Sequence, residues 1–427
     1  PMVLSNFSQT LFNLADAFWL GKLGKEALSA PTLCFPIVFF ILSFGFGLSI
    51  AGTSLIAQYK GAGKKEKAEI VTGQLILIML FFSVIVSGLG IIFLNKILTF
   101  LRVPDSVWTY AHQYIFVIFL GMPLSFVFMA YYGIKLGLGD TFTPMLLQFI
   151  VVGLNIILDP LLIFGVWFFP RLEVQGAAIA TVFSRAVAAI ITIRWIFKDK
   201  EINFKPKYLI PNFKVIKKII KVGLPASLGH SGTSLGFIVM ISFVSRFGAS
   251  VISAFGVGNR IITFAMLPAM GISGAVSSII GQNIGAGNIK RALKTIWYAL
   301  GIISFILIIW CTFTFIFGQY IVKFFINDME VISYGKTFFK IVSYSVVLLG
   351  FLFIFNGVFQ GSGHTMSAMI VNLFRLWAVR IPVIYLLAFV LNHGPKGIWW
   401  AMFISNLLSG ILAYIIFLTG KWKHKVI

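Results

Sequence analysis

An acidic residue interrupts the apolar run that opens this chain, where no water would stabilise its charge. Asp16 is preceded by three amide residues at spacings of three and four, the repeat of one helix face. A carboxyl group shielded from water can bind and release a proton near neutral pH. The stripe therefore predicts ion chemistry inside an apolar helix. Its amide members are Asn6, Gln9 and Asn13.

A second polar stripe ends at Asp159. Asn155 lies four residues before this acid, and Gln148 lies seven residues before Asn155. Pro160 follows directly, lacks a backbone donor and should loosen the helix beside the carboxyl. Two neighbouring carboxyls would share protons as a coupled pair. Carboxylate, amide and hydroxyl oxygens could also hold a dehydrated Na⁺. The alternative interpretation is a structural polar cluster, or salt bridges to intramembrane arginines. Those arginines are Arg185, Arg260, Arg375 and Arg380.

The composition is that of a protein embedded in a lipid bilayer. Of 427 residues, 59% are hydrophobic and 11% are charged, and the mean hydropathy is +0.99, whereas soluble domains carry about 25% charged residues. The net charge of +22 comes from 34 Lys and Arg against 12 Asp and Glu. The basic residues lie mostly between apolar runs, which indicates a positive cytoplasmic side and no nucleic-acid partner.

Twelve apolar runs approach or exceed the roughly 20 residues that a bilayer helix needs. Only Asp16 and Asp159 fall inside them, whereas the other acids lie in loops or at span ends. Lys and Arg are richest in the loops after even-numbered spans, so both termini are expected to face the cytoplasm. The runs are 1–20, 31–58, 70–94, 108–134, 143–167, 174–197, 222–245, 252–284, 292–317, 334–359, 366–391 and 397–419.

The two halves of the sequence repeat each other at one constant offset over most of their length. Residues 54–63, SLIAQYKGAG, align with 278–287, SIIGQNIGAG, and the offset shortens slightly near the last span of each half, where Gly176 aligns with Gly397. Met240 occupies the position that matches Asp16, and Arg380 or Ile381 the position that matches Asp159. The repeat has therefore kept intramembrane acids in one half only, which favours a functional role.

Each half holds six spans, so the two halves share one orientation in the membrane. The sequence predicts an all-α polytopic membrane protein with twelve transmembrane helices in two pseudo-symmetric six-helix bundles. The predicted lobes are residues 1–197 and 222–427, joined by a basic cytoplasmic linker at 198–221 that contacts anionic headgroups. A functional binding patch is the alternative for this linker. Its lysines are Lys198, Lys200, Lys205, Lys207, Lys214, Lys217, Lys218 and Lys221.

Other polar and aromatic residues are predicted to lie near the acids. Thr181 on span 6 and Tyr114 on span 4 reach a similar depth to the two carboxyls, and Phe12 lies beside the Asp16 stripe. The chain opens in an apolar run at Pro1 without an initiator Met. We therefore expect a few trimmed N-terminal residues and no removable signal peptide.

Several motifs together resemble the multidrug and toxic compound extrusion (MATE) family over essentially the whole chain. The resemblance implies two six-helix lobes that export organic cations and other drugs in exchange for H⁺ or Na⁺, with no cofactor. Pro1 stands fifteen residues before Asp16, where the family has a proline linked to bending of span 1. The motifs are NLAD at 13–16, Gln58 with GAG at 61–63, their copies Gln282 and 285–287, GLGDT at 137–141, NIILDP at 155–160 and GAAIAT at 176–181.

Within that family the chain is similar to the DinF branch, whose ion site lies in the N-terminal lobe. The resemblance assigns ion coupling to Asp16, Asn155, Asp159 and Thr181, as H⁺ carriers or Na⁺ ligands. It places Gln9 and Tyr114 in the substrate cavity, where Phe12, Asn13 and Gln148 are also expected. The NorM branch uses further acids in the C-terminal lobe, and spans 7–12 contain none. We expect a monomer in the plasma or inner membrane that acts on small drug-like molecules.

Two other classes of function remain open from the sequence. A lipid-linked oligosaccharide flippase resembles the same superfamily in its repeat, and intramembrane arginines converging on a central cleft would support it. An intramembrane enzyme would need a nucleophile with a base, or a metal cluster, and neither pattern is visible. The glycine-rich segments lack the context of a phosphate loop, so the energy for transport is expected from an ion gradient. The sequence does not decide between H⁺ and Na⁺, or identify the natural substrate.

Overall fold

A computed structural model describes residues 1–167, 169–199 and 201–427. In these ranges every regular element is a helix, and the chain packs as two compact units, Pro1–Ser227 and Leu228–Ile427. The first unit contains α1 (Met2–Leu23), α2 (Lys25–Gly61), α3 (Lys65–Ile92), α4 (Leu94–Phe100), α5 (Asp105–Gly137), α6 (Phe142–Phe164), α7 (Glu173–Lys198), a 3-10 turn at Pro206–Leu209 and the start of α8 (Phe213–Val244).

The second unit repeats long helices with more interruptions. The end of α8 runs into a 3-10 turn at Ser245–Phe247, and two π-helical turns at Phe374–Arg380 and Tyr385–Val390 flank α14. The remaining elements are α9 (Ala249–Gly285), α10 (Ile289–Phe325), α11 (Met329–Val342), α12 (Ser345–Gly361), α13 (Thr365–Leu373), α14 (Ile381–Ile384), α15 (Pro395–Leu418) and a 3-10 turn at Lys421–Lys423.

Ten helical segments of the described chain are long and apolar enough to cross a membrane, and the bent pair α11–α12 makes eleven if it counts as one span. Helix α1 is not among them although it is 22 residues long. The reason is its polar stripe, since Asn6, Gln9, Asn13 and Asp16 lower its mean hydropathy. The predicted span that falls short in hydropathy is therefore one of the two that carry an intramembrane acid.

Two predicted spans are irregular in the structure. The span expected at 334–359 is bent by 53° between α11 and α12. At this break the Ser345 hydroxyl donates to the Val342 carbonyl at 2.7 Å, and this local bond competes with the regular helical ladder. The span expected at 366–391 continues beyond α13 through both π-helical turns, which hydropathy along the chain does not reveal.

The repeat is visible in the packing inside each unit. In the first unit the Ser49 hydroxyl donates to the Met129 carbonyl at 2.9 Å, which ties α2 to α5. In the second unit the Ser273 hydroxyl donates to the Phe353 carbonyl at 2.6 Å, which ties α9 to α12. Both partners of the first bond align with those of the second at the main offset read from the sequence, so the two units use the same helix–helix contact.

Glycine makes this contact close. A Cβ atom added at Gly133 would lie 2.5 Å from the Ser49 carbonyl oxygen, and one added at Gly357 would lie 2.5 Å from that of Ser273. Small residues allow helix backbones in a bilayer to approach until their surfaces interlock. The repeated glycines therefore set the spacing of α2 against α5 and of α9 against α12.

The segment between α7 and α8 is held against α3. The Gln74 amide donates to the carbonyls of Tyr208 at 2.6 Å and Ile210 at 2.8 Å, and the Tyr208 hydroxyl donates to Glu69 at 3.0 Å. This part of the predicted basic linker is thus an ordered portion of the first unit. Lys200 of that linker lies outside the described residues, and contact of the linker with headgroups stays a prediction.

Candidate functional site

Helices α1 and α6 pack together in the first unit and bring the two polar stripes into contact. The Gln148 amide on α6 donates to the Gln9 side-chain oxygen on α1 at 3.1 Å. Gln9 in turn donates to Asn13, one turn further along α1, at 3.4 Å. Three of the predicted cavity residues therefore form one chain of amides across the helix interface.

The two intramembrane acids lie at the same interface. Asp159 and Asn155 are fully buried on α6, and the Asn155 amide donates to Asp159 Oδ1 at 3.0 Å. The Asp16 carboxyl reaches across from α1 and is within hydrogen-bonding range of both side chains. The structure thus brings together two acids that are widely separated in the sequence.

Four buried oxygen atoms in this region have no hydrogen-bond partner among the described residues. They include one carboxylate oxygen from each acid, and the hydroxyl of Thr181 on α7 is also buried and unpaired. A proton shared between the two carboxyls would satisfy both of them, because one would then donate to the other. The oxygens are Asp16 Oδ1, Asn155 Oδ1, Asp159 Oδ2 and Thr181 Oγ1, and this set also has the hard-oxygen chemistry that suits Na⁺.

The nearest cation does not neutralise the pair directly. Arg185 on α7 is close enough for its charge to act on Asp16, but no salt bridge joins it to either acid within the described chain. Its Nη1 donates instead to the Ser125 hydroxyl at 3.2 Å. The salt-bridge alternative raised by the sequence is therefore not what the structure shows for these two carboxyls.

Two predicted cavity residues differ in their surroundings. Tyr114 on α5 is half-buried and lies within electrostatic range of both acids and of Arg185. Phe12 is 3% exposed and packs with Val151 and Val152 of α6. In this conformation Phe12 is a packed core residue, and its contact with substrate stays a prediction.

The two prolines expected to bend helices lie in regular surroundings. Pro1 precedes α1, and its carbonyl accepts the first helical hydrogen bond from Ser5 at 2.9 Å. Pro160 lies inside α6, which runs as one α-helix from Phe142 to Phe164 and ends at Gly165 in the left-handed region. Bending at either proline stays a prediction.

Arg185 has a partner in this region that its own span did not predict. Ser125 on α5 orients the Arg185 guanidinium, and the Phe12 ring lies 5.9 Å from the same group. An arginine inside a predicted span was the available signal, because a buried guanidinium requires acceptors on a neighbouring helix. No periodicity along α5 identified which serine would supply one.

A multi-pass helical protein whose halves repeat one packing, and which keeps a buried carboxyl pair in one half, falls in the class of membrane transporters. The chain belongs to the MatE family, whose family model matches residues 1–161 and 225–386. Members of this family are transporters, so this protein is a transporter and not an enzyme. The MATE resemblance read from the motifs is confirmed, as is the twelve-helix membrane fold. The DinF-like branch stays a prediction.

Named relatives extend over nearly the whole chain. The probable multidrug resistance protein YoeA of Bacillus subtilis is 30% identical over 442 residues, covering 100% of this chain and 93% of the relative. A FAD transporter of Shewanella oneidensis is 29% identical, covering 94% of this chain and 89% of the relative. Multidrug efflux is therefore the activity that the family supports, while the relatives' names include more than one kind of substrate.

Solved structures of similar proteins share the fold. A multidrug resistance MATE family transporter of the MOP superfamily, in an outward-facing conformation, has a TM-score of 0.91 and 26% identity, covering 98% of this chain and 93% of the other. A MATE crystal structure in the bent conformation has a TM-score of 0.92 and 26% identity, with the same coverage. The twelve-helix architecture is common to this chain and both structures.

Proposed function

We propose that this protein is a secondary active efflux antiporter that exports amphipathic, often cationic, organic compounds in exchange for H⁺ or Na⁺. The observation that carries the proposal is the contact between Asp16 and Asp159 inside the first unit, without a salt bridge to a cation. A charged pair buried inside a bilayer protein is costly, and intramembrane acids are usually retained for ion movement. The coupling ion would bind between α1 and α6, with Asn155 and Thr181 as further ligands.

The amide chain beside the acids supplies a route from ion binding to substrate release. Uptake of H⁺ or Na⁺ changes the number of donors and acceptors that Asp16 presents on α1. Because Gln9 and Asn13 lie on the same face of α1, a change at Asp16 alters how this face bonds to Gln148 on α6. The resulting change in α1 displaces substrate from the first lobe, and rocking of the lobes resets the site toward the cytoplasm.

The substrate class follows from the site's charge and from the relatives. Two carboxyls beside Tyr114 and a stripe of amides favour an organic cation with an apolar body. The Bacillus subtilis relative named above is a probable multidrug resistance protein, and staphylococcal relatives are named multidrug export protein MepA. We propose the same broad substrate range here, at the plasma membrane, with both termini cytoplasmic, and a monomer as the working unit.

Replacement of each acid by its amide tests the coupling role. Asp16→Asn and Asp159→Asn should each abolish efflux of a cationic dye from cells while the protein still reaches the membrane. Asp105→Asn is the matched control, because Asp105 is an exposed acid at the start of α5 and its variant should export at the wild-type rate. Efflux at the wild-type rate in Asp16→Asn, at equal membrane abundance, would exclude the proposed coupling.

Reconstitution distinguishes the two coupling ions. Purified protein in proteoliposomes is given either a proton gradient at equal Na⁺ or a Na⁺ gradient at equal pH, and dye movement is followed. One gradient should drive transport and the other should not, and Asp159→Asn should respond to neither. Transport of equal rate without any gradient, or with both acids replaced, would contradict the antiport mechanism.

A further inference from the structure

A guanidinium is buried in the second unit, within the span Thr365–Val390. Arg380 is 5% exposed and ends the first π-helical turn of that span, well before the span ends. Its Nε donates to the Ser405 hydroxyl at 2.8 Å and its Nη2 to the Asn406 side-chain oxygen at 2.7 Å. Its Nη1 faces the Met240 sulfur at 3.9 Å. All of these partners are neutral.

No acid of the second unit is in a position to neutralise this charge. Residues 228–427 contain only two acids, Asp328 and Glu330, at the start of α11, and neither forms a salt bridge with Arg380 within the described chain. Asp328 caps α11 through its bonds to the backbone, and Glu330 accepts a hydrogen bond from Ser250. The charge of Arg380 is therefore buried beside dipoles alone, which costs several kcal/mol.

A second guanidinium adds to the positive charge. Arg375 lies at the other end of the same π-helical turn, and its charge acts on Arg380. Its Nε atom is buried without a hydrogen-bond partner among the described residues. Short π-helical turns within longer helices are frequent at functional sites. Two cations with unused donors on one turn require a local source of negative charge.

The repeat shows that this region is a copy of the ion site with the opposite charge. Arg380 stands at the position that matches Asp159, and Asn406 at the position that matches Arg185, both at the shorter offset that aligns Gly176 with Gly397. Met240 matches Asp16 at the main offset. The first unit therefore presents two carboxyls near one guanidinium, and the second presents a guanidinium beside an amide and a thioether.

We propose that Arg380, with Ser405 and Asn406, binds a monovalent anion in the second unit, either a free inorganic anion or the carboxylate of an organic solute. A planar guanidinium with unused donors is well suited to carboxylate oxygens. Met240 occupies one side of the guanidinium through a weak thioether contact, and its flexible side chain can yield to a stronger acceptor. Arg380 lies ten residues before the end of its span at Val390, which favours a soluble anion over a lipid headgroup.

The anion site is independent of the coupling proposed for the first unit, so it is tested by binding and not by transport. Purified protein in a chloride-free buffer is titrated with benzoate while its thermal unfolding temperature is measured, with benzamide as the uncharged control. Benzoate should raise the unfolding temperature and benzamide should not. Arg380→Gln should weaken benzoate binding at least tenfold, whereas Arg260→Gln, at an exposed position of α9, should match wild type.

A parallel chloride titration separates the two sources of the anion. Stabilisation by chloride as well as benzoate identifies a free inorganic anion, and stabilisation by benzoate alone identifies an organic carboxylate. Asp159→Asn should keep the response, which separates this site from the carboxyl pair. Benzoate binding of equal strength in wild type and Arg380→Gln, or no stabilisation by either anion, would overturn the proposal.

A carboxylate supplied by the protein itself gives a second test that does not require removal of the arginine. Asn406→Asp places an acid where the amide oxygen now lies 2.7 Å from Nη2 of Arg380. This variant should lose its response to benzoate, because the new carboxylate neutralises the guanidinium. It also loses the hydrogen bond that the Asn406 amide donates to the Ser345 hydroxyl at 3.1 Å, so its stability is not the measure of the anion site. An Asn406→Asp protein that responds to benzoate as strongly as wild type would contradict an anion site at Arg380.

Discussion

The side-chain amide of Gln148 donates to the side-chain oxygen of Gln9 at 3.1 Å and joins α6 to α1. It is a polar link between the two helices that carry the intramembrane acids, in addition to the contact of Asp16 with Asp159. Gln9 also donates to Asn13, so the link extends along α1 toward Asp16. From this position we expect the Gln148–Gln9 bond to transmit structural changes between the carboxyl pair and the substrate cavity. We expect it to contribute little to the free energy of unfolding.

Replacing this link should change substrate handling more than folding. Gln148→Leu and Gln9→Leu should each cost about 0.6 kcal/mol, the average for interhelical hydrogen bonds in membranes, and the double variant should cost less than the sum. Efflux should show a KM raised several-fold, because the amides line the proposed cavity, and a lower maximal rate, because the link between the ion site and the cavity is broken. A double-variant cycle of equilibrium unfolding in micelles, with dye efflux kinetics, measures both quantities. Strictly additive unfolding energies would show that the two amides do not interact.

The repeated glycine contacts should be equally intolerant of a methyl group. Gly133→Ala and Gly357→Ala each place a Cβ 2.5 Å from a backbone oxygen, and the forced separation of the helices should cost about 1–3 kcal/mol. Gly153→Ala is the matched control on α6, where nothing lies within 4 Å of the added atom. It should be neutral or stabilising, since alanine favours the helix. Equal thermal stability of all three variants would show that the close contact is not important.

An ion-pair cluster at the end of α5 should contribute to stability. The Lys135 ammonium bonds to Asp199 and lies 3.3 Å from Asp140, and the Lys135 and Asp199 side chains are about one-tenth exposed. Lys135→Met leaves two carboxylates without their cation and should cost about 2 kcal/mol, less than the ~3–5 kcal/mol of a fully buried pair. Lys25→Met should leave the unfolding temperature unchanged, because the Lys25–Glu26 pair is largely exposed.

Asp140 should make stability depend on pH in acid. It accepts hydrogen bonds from the backbone amides of Phe142 and Thr143 at 3.0 Å. Burial disfavours its charge, but Thr143 and Lys135 outweigh burial and hold the pKa of the carboxyl below its usual 3.8. The ionised carboxyl therefore stabilises the fold above that value, and this contribution is lost as the pH falls through the lower folded-state pKa.

Asp140→Asn isolates the charge from the helix cap. Asparagine still accepts the backbone hydrogen bonds. Near neutral pH the unfolding temperature of the variant should therefore be lower than that of wild type only by the contribution of the carboxylate charge. Its unfolding temperature should then fall less than that of wild type as the solution is acidified below the usual carboxyl pKa. Identical pH profiles for the two proteins would rule out this role of the Asp140 carboxylate.

The membrane fold and its repeat are determined by the sequence alone, because both are patterns along the chain. Apolar runs along the chain predict the spans, although the polar stripe makes α1 the weakest of them, and the constant offset between the halves predicts that they pack alike. The contacts of Gly133 with Ser49, and of Gly357 with Ser273, confirm that inference atom by atom. The two acids were also identifiable from the sequence, since an ionisable residue inside an apolar span is rare.

The partners of the polar side chains were decided only by the tertiary structure. A stripe fixes which face of its own helix a residue occupies, but the rotation of that helix against its neighbours depends on packing all along both surfaces. Packing of α1 on α6 brings Asp16 to Asp159 and leaves Arg185 bonded to Ser125. For the same reason the neutral partners of Arg380 could not be predicted from the sequence. They lie on α15 and α8, and no local pattern along the span of Arg380 identifies them.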